Sequence, residues 1–125
     1  MEMKLYVLNF NTEIFKIEAD VVTIEYENME EQYQKIADIL KTDGLDVIDY
    51  DENIAILVDD MGFYKQGNPI YNLILPDGIT TNLAGKLVFV RNIYTEYSTD
   101  FGSITYQDIF NLRRLLNIQI IGSVK

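Results

Sequence analysis

Residues 45–58, LDVIDYDENIAILV, decide the fold of this chain. Leu45–Tyr50 and Asn53–Val58 are rich in side chains that favour strands, and the polar pair Asp51 and Glu52 separates them. Two such runs joined by a short polar turn predict an antiparallel hairpin. The longest apolar run in the segment, IAILV, is far too short to cross a bilayer.

The segment before the hairpin has the period of a helix. Asn28 is a suitable N-cap, and Glu31 three positions later completes a capping-box pattern. Gly44 marks the expected end of the helix. The apolar side chains that recur at helical spacing are Met29, Tyr33, Ile36, Ala37 and Leu40.

Strand patterns and one further helix account for most of the remaining chain. Thr105 and Asp108 form a second capping signal, which precedes an apolar helix face at Ile109, Leu112 and Leu116. Strand-forming runs occupy 4–8, 13–18, 21–26, 86–93 and 117–121, with turn residues at 9–12 and 76–78. Residues 60–72 are predicted to be largely loop, with room for one helical turn after Pro69. These elements predict one α+β domain over 1–125: a mostly antiparallel sheet with two helices packed on it.

The composition narrows the classes of function. The chain has 125 residues, the size of one domain, and contains neither cysteine nor histidine. Disulfides, thiol catalysis, Cys/His zinc sites and histidine-based acid–base schemes are therefore excluded. The absence of cysteine and of a signal-peptide pattern favours the cytoplasm. We expect a binding protein without a cofactor, and not an enzyme.

Charge is unevenly distributed along the chain. Residues 18–60 hold 14 of the 20 acidic residues and two of the ten basic ones, a net charge of −12, whereas the rest of the chain carries +2. Surface carboxylates spaced like backbone phosphates can occupy the basic groove of a nucleic-acid-binding protein. The plainer interpretation is a solvated face that keeps the protein soluble. On the functional hypothesis, the partner-binding residues are Glu27, Glu30, Glu31, Asp38, Asp51 and Glu52.

The stretch DDMGFYKQGNPIYN, residues 59–72, is the most unusual in composition. Exposed backbone amides, amide side chains and aromatic rings suit a small ligand such as a nucleotide. A long connection whose aromatic rings pack on the sheet is an equally good interpretation. An anion could be held if several of the basic residues converge, namely Lys65, Lys86, Arg91, Arg113 and Arg114. The candidate ligand-binding residues are Asp60, Gly62, Tyr64, Lys65, Asn68, Asn72 and Arg91.

Two patterns of acidic residues are only weak indications of a metal site. Asp49, Asp51 and Asn53 match the opening of a calcium loop, but Ile54 stands where the loop requires glycine. A metal-dependent enzyme that uses two adjacent aspartates, Asp59 and Asp60, needs a bend there, because neighbouring strand residues point to opposite faces. We expect no metal site and no catalytic residue.

Four short motifs carry a family resemblance: DDMG at 59–62, NPIYN at 68–72, LAGK at 83–86 before a strand, and DFGSIT at 100–105 before a helix. In this order the chain resembles a family of uncharacterised small proteins carried by phages and mobile elements (domain of unknown function 3846). That family typically has a basic residue after the asparagine matching Asn72, where this chain has Leu73. The resemblance implies a small cytoplasmic accessory protein, and many such proteins antagonise host defence.

These observations lead to two hypotheses of stoichiometric, non-catalytic binding. In the leading one, the acidic residues block a nucleic-acid-binding defence protein of the CRISPR or restriction type. In the alternative, the 59–72 loop sequesters a small anionic signalling nucleotide. We expect no direct nucleic-acid binding, because the aromatic spacing indicates no aromatic-and-basic platform, and no membrane contact. The isoleucine-rich strands allow a homo-oligomer through a sheet edge.

Overall fold

The predicted hairpin is present in the computed structural model, which describes residues 1–125. Strand β3 (Leu45–Asp49) pairs antiparallel with β4 (Ile54–Asp59). Asp51 closes the turn, since its Oδ1 accepts hydrogen bonds from the backbone N–H groups of Asn53 and Ile54, each at 2.8 Å. All six residues of β4 are buried, which fits its position inside the sheet.

The hairpin belongs to a six-stranded antiparallel sheet. Its other strands are β1 (Glu2–Asn11), β2 (Lys16–Glu25), β7 (Leu87–Tyr94) and β8 (Thr99–Gly102). The order is β2-β1-β7-β4-β3, and β8 pairs with the far part of β7. The predicted turn at 9–12 is wrong, because residues 9–11 continue the ladder with β2 and the turn lies at 12–15. The run at 21–26 continues the run at 13–18 in one strand, β2, which spans Lys16–Glu25 and so leaves residues 13–15 in the turn.

A second sheet has the order β6-β5-β9. It consists of β5 (Pro69–Ile74), β6 (Thr80–Ala84) and β9 (Asn117–Ser123). The predicted loop at 60–72 is therefore wrong over its last four residues, where Tyr71 is fully buried. Pro69 opens the strand, a position where its missing N–H costs little. The one helical turn precedes Pro69 as a 3-10 turn at Gly62–Tyr64.

Two helices complete the chain: α1 (Met29–Leu40) and α2 (Tyr106–Leu115). Both predicted N-cap residues are confirmed, and α2 has a full capping box between Thr105 and Asp108. In α1 the predicted capping box is only half formed, because Asn28 accepts from the Glu31 N–H without a reciprocal bond from the Glu31 side chain. The predicted end of α1 at Gly44 is wrong. The helix ends at Leu40, and Lys41 is its C-cap. The backbone of Lys41 is left-handed (φ 54°), and its N–H donates to the carbonyls of the last turn.

The helices lie on opposite faces of the large sheet and enclose two cores. The α1 face buries residues such as Leu5, Ile36 and Val88. On the opposite face, α2 and the small sheet enclose residues such as Phe89, Tyr71 and Ile109. The predicted α+β class is confirmed. Neither helix has the length and apolar character needed to cross a membrane.

Candidate functional site

The start of α1 carries the densest group of carboxylates. Glu27 and Glu31 line an open cleft of about 320 Å³, and the paired ends of β1 and β2 bring Glu2 and Glu25 to the same cleft. Glu2 was not predicted as a site residue. Only the strand register, which sets Glu2 opposite Glu25, identifies it. No three acidic side chains of the protein converge in a way that could hold a metal ion.

These charges are only partly compensated inside the molecule, because Met1 with its ammonium group and Lys35 line the same cleft. The protein has three ion pairs, and one involves the cleft: Lys35 Nζ lies 3.8 Å from Glu31 Oε1, with both side chains more than 40% exposed. Such an exposed pair contributes little. Glu2 and Glu25 lie directly across a strand pair, where like charges destabilise a sheet. Glu30 and Glu31 do stabilise the first turn of α1 through the helix dipole.

The acidic surface continues along α1 but does not reach the hairpin. Asp38 lies two turns further on, where its carboxylate accepts a hydrogen bond from Gln34 Nε2 at 2.9 Å. Glu27, Glu30, Glu31 and Asp38, with Glu2 and Glu25, form what we call the α1 acidic face. The prediction that Asp51 and Glu52 belong to it is wrong. Asp51 caps the hairpin turn and lines a cleft beside α2, on the opposite face of the sheet.

A second cluster lies at the other end of α1 and is basic. Lys41, Lys65 and Lys86 line a cleft of about 230 Å³ together with the amides of Asn9 and Asn68. We call this the lysine cleft. Its lysines come from the end of α1, the 60–68 loop and the turn before β7, so only the tertiary fold brings them together. Lys65 and Lys86 are two of the five basic residues whose convergence the sequence left open, and Lys41 is a member that sequence reasoning missed.

Asp59 and Lys65 organise the lysine cleft. The Asp59 side chain is 4% exposed and pairs with Lys65 Nζ at 2.5 Å. It also accepts hydrogen bonds from Thr42 Oγ1 at 2.6 Å and Met61 N at 2.9 Å. Burial acts to raise the pKa of Asp59, but these hydrogen bonds outweigh it and hold the pKa below its ordinary value. Lys65 Nζ also donates to the Lys41 carbonyl at 2.8 Å.

The remaining loop residues have structural roles. Gly62 is needed for a close approach, because a Cβ there would lie 2.6 Å from the Ala84 carbonyl oxygen. Asn68 Nδ2 donates to the Gly62 carbonyl at 3.0 Å, which ties the loop to itself. Tyr64 is 79% exposed and lies outside the cleft lining. Asn72 pairs with the Asn82 side chain across β5 and β6.

One further loop contact corrects the sequence analysis. Asp60 is exposed and lies against Gly44, where a Cβ would come within 2.6 Å of Asp60 Oδ2. Gly44 therefore makes room for Asp60, although it does not end α1. Of the seven predicted ligand-binding residues, only Lys65 and Asn68 line the lysine cleft.

Arg91 is wrongly predicted as a ligand residue. Its guanidinium makes a two-fold contact with Asp108 at the start of α2, with distances of 2.8 and 3.0 Å. The Asp108 hydrogen bonds are the largest influence on the pKa of Arg91 and raise it. Burial acts to raise the pKa of Asp108, but the bonds from Arg91 and Thr105 outweigh it and lower the pKa. The pair therefore fastens α2 to the sheet.

Two exposed aromatic rings on α2 make cation–π contacts, and the sequence analysis did not predict these contacts. Lys4 Nζ lies 4.9 Å from the centre of the Tyr106 ring, and the Arg114 guanidinium lies 5.4 Å from that of Phe110. The spacing of Tyr106, Phe110 and Arg114 by four residues was the available signal. This spacing does not reveal the contact of Lys4 with Tyr106, because Lys4 lies on β1.

Lys41→Gly is expected to raise the free energy of unfolding by about 0.5–1 kcal/mol, because glycine adopts the left-handed conformation without the Cβ penalty. Urea unfolding measures the effect. Lys35→Gly, inside the same helix, is the matched control and should cost about 1 kcal/mol. Destabilisation by Lys41→Gly would mean that the Lys41 side chain makes contacts stronger than the backbone strain.

Comparison of the chain with family models, with curated proteins and with solved structures found no match.

Proposed function

We propose that the protein acts by stoichiometric, non-catalytic binding, with the α1 acidic face occupying the basic groove of a nucleic-acid-binding protein. The observation that carries the proposal is the excess of carboxylates over cations on this face. Its carboxylates have one weak internal ion pair, and two of them oppose each other across β1 and β2. Glu30 and Glu31 gain from the helix dipole. No ion pair offsets the repulsion between Glu2 and Glu25, however, and a cationic partner would relieve it.

The geometry of α1 suits such a groove. Glu30 and Asp38 are exposed on a regular helix, separated by about 12 Å at 1.5 Å per residue. The regular helix fixes the backbone under these carboxylates before a partner binds, so only their side chains lose freedom when lysine or arginine contacts them. The net charge of −10 repels nucleic acid itself, so we propose that the partner is the protein and not its nucleic acid.

The resemblance to proteins of phages and mobile elements supplies the biological setting of the proposal. The partner would be a host defence protein of the CRISPR or restriction type, met in the cytoplasm. Inhibition would follow from occupancy alone, because the acidic face and the nucleic acid would compete for the same basic surface. Binding is therefore expected to be steeply sensitive to salt.

The test compares two variants with the same change in charge. The first is Glu27→Gln/Glu30→Gln/Glu31→Gln on the α1 acidic face. The matched control neutralises three acids outside it, Glu13→Gln/Asp77→Asn/Glu96→Gln. Each protein is immobilised and used to capture partners from host-cell extract at low salt, and nucleic acid is then added as a competitor.

The wild type and the control are expected to retain the same basic protein and to release it when nucleic acid or salt is added. The α1 variant should bind it at least about tenfold more weakly, which corresponds to about 1.4 kcal/mol. Equal capture by both variants would refute the acidic face. Capture that survives high salt and excess nucleic acid would refute competition for a nucleic-acid groove.

A further inference from the structure

We propose that the lysine cleft binds a phosphoryl group. This site lies at the opposite end of α1 from the cleft formed by Glu27 and Glu31, and it does not depend on the proposed function. Three of the ten basic residues of a chain with net charge −10 converge on it from three separate segments. Asp59 pairs with one of these lysines, and the other two have no ion-pair partner within the protein.

The cleft keeps two positive charges after its internal contacts are counted. Lys65 pairs with Asp59, the one carboxylate that lines the cleft, and also donates to the neutral Lys41 carbonyl at the end of α1. Lys41 and Lys86 take part in none of the three ion pairs, and their ammonium groups make no hydrogen bond. Two uncompensated ammonium groups match the charge of a phosphate dianion.

Neutral hydrogen-bond donors also line the lysine cleft. Asn68 uses one N–H of its amide on the Gly62 carbonyl, which fixes the amide and leaves the second N–H free. Asn9 contributes an exposed amide from the end of β1. Gly85 has φ +88° and packs closely on Asn68, since a Cβ there would lie 3.3 Å from Asn68 Nδ2. Glycine at this position therefore keeps the amide in place beside the cleft.

The size and surroundings of the cleft define the ligand further. A volume of about 230 Å³ holds a phosphoryl group but lies below the roughly 300–1,000 Å³ of sites for whole drug-sized ligands. An adjoining cleft of about 310 Å³ shares Lys41 and Lys65 and is lined by Gln34, Asp38 and Asp43. These side chains accept hydrogen bonds from hydroxyl groups and repel a second phosphate. The ligand class is therefore a phosphomonoester with a hydroxyl-bearing body, and free phosphate would share its recognition.

The experiment is calorimetric titration at constant ionic strength, because screening alters such affinities. The probes are inorganic phosphate, ribose 5-phosphate, adenosine monophosphate and adenosine triphosphate. We expect the monophosphate esters to bind best, free phosphate more weakly and the triphosphate worse than the monophosphate. Better binding of free phosphate than of either ester would assign the site to the free ion and overturn the phosphomonoester assignment.

Two variants remove one ammonium group each. Lys86→Gln and Lys41→Gly should weaken the binding of adenosine monophosphate at least about tenfold, as expected for loss of a charged hydrogen bond. Because Lys41→Gly is expected to stabilise the fold, lost binding there cannot result from unfolding. Lys16→Gln, an exposed lysine outside the cleft, is the control and should bind normally.

No binding of any probe at about 10 mM, or unchanged binding by both variants, would overturn the proposal. The outcome is separable from that of the acidic face. Glu27→Gln/Glu30→Gln/Glu31→Gln should keep its affinity for adenosine monophosphate, and Lys86→Gln should keep the partner-capture behaviour of the wild type.

Discussion

Replacing Asp108 with asparagine is expected to lower the free energy of unfolding by about 2–3 kcal/mol. The Asp108 carboxylate has two roles that an amide fills poorly. It holds the Arg91 guanidinium through two hydrogen bonds, and it accepts a third from the backbone N–H of Thr105 to cap α2. Asparagine keeps the shape but loses the charge, so a partly buried Arg91 loses its counter-ion.

A double-mutant cycle with Arg91→Gln separates the ion pair from the cap. The coupling energy between the two positions reports the pair, and the remaining cost of Asp108→Asn reports the cap. Glu96→Gln, an exposed acid on a turn, is the control and should change stability by less than about 0.5 kcal/mol. Additive effects of the two substitutions would contradict a fastening role for the Arg91–Asp108 contact.

The effect of Asp108→Asn should also depend on pH. Folding lowers the pKa of Asp108, so the unfolded chain binds the proton first as the pH falls. The contribution of Asp108 is fully present above the ordinary carboxylate pKa of about 4 and is lost as the pH falls through the lower pKa of the folded state. Unfolding at pH 7 and at lower values should show the wild type and Asp108→Asn converging below about pH 4.

The elements that the sequence predicted correctly are those with local signals. The helix caps at Asn28 and Thr105 depend on residues a few positions apart. The same is true of the apolar spacing within each helix. The β3–β4 hairpin likewise needs only its own turn. The small sheet was missed because its centre, β5, pairs with β9 more than 40 positions along the chain, and β6 is largely polar. Neighbouring residues carry no information on such a pairing.

The site residues also divide into those that the local sequence predicts and those that only the tertiary fold brings to a cleft. The carboxylates of α1 were predictable because one helix places them off its apolar stripe. Glu2 and Lys41 reach their clefts through strand register and helix termination, which composition does not reveal. Arg91 was mispredicted for a related reason. A count of basic residues does not show that Asp108 already binds this one.

Replacing Asp59 with alanine is expected to lower the free energy of unfolding by about 2–4 kcal/mol. The carboxylate is nearly fully buried and receives three donors, from Lys65, Thr42 and Met61. Lys65 is 44% exposed and can turn to water, and the Thr42 hydroxyl keeps only the Gly44 carbonyl at 2.9 Å as an acceptor, but the partly buried Met61 N–H loses its acceptor. Asp59→Asn keeps an acceptor for both and should cost less, about 1–2 kcal/mol.

Urea unfolding measures the free energy of unfolding of the wild type, Asp59→Asn and Asp59→Ala. Asp60→Asn, on the adjacent exposed carboxylate, is the control. Asp59→Asn also separates stability from binding, because it removes the negative charge of the lysine cleft and frees Lys65. It should destabilise the fold and yet bind adenosine monophosphate more tightly than the wild type does. Weaker binding by a folded Asp59→Asn protein would mean that Asp59 positions Lys65 for the ligand, and not that it competes with the ligand for Lys65. The opposite signs expected for stability and affinity make Asp59 the residue at which the fold and the proposed phosphoryl site oppose each other.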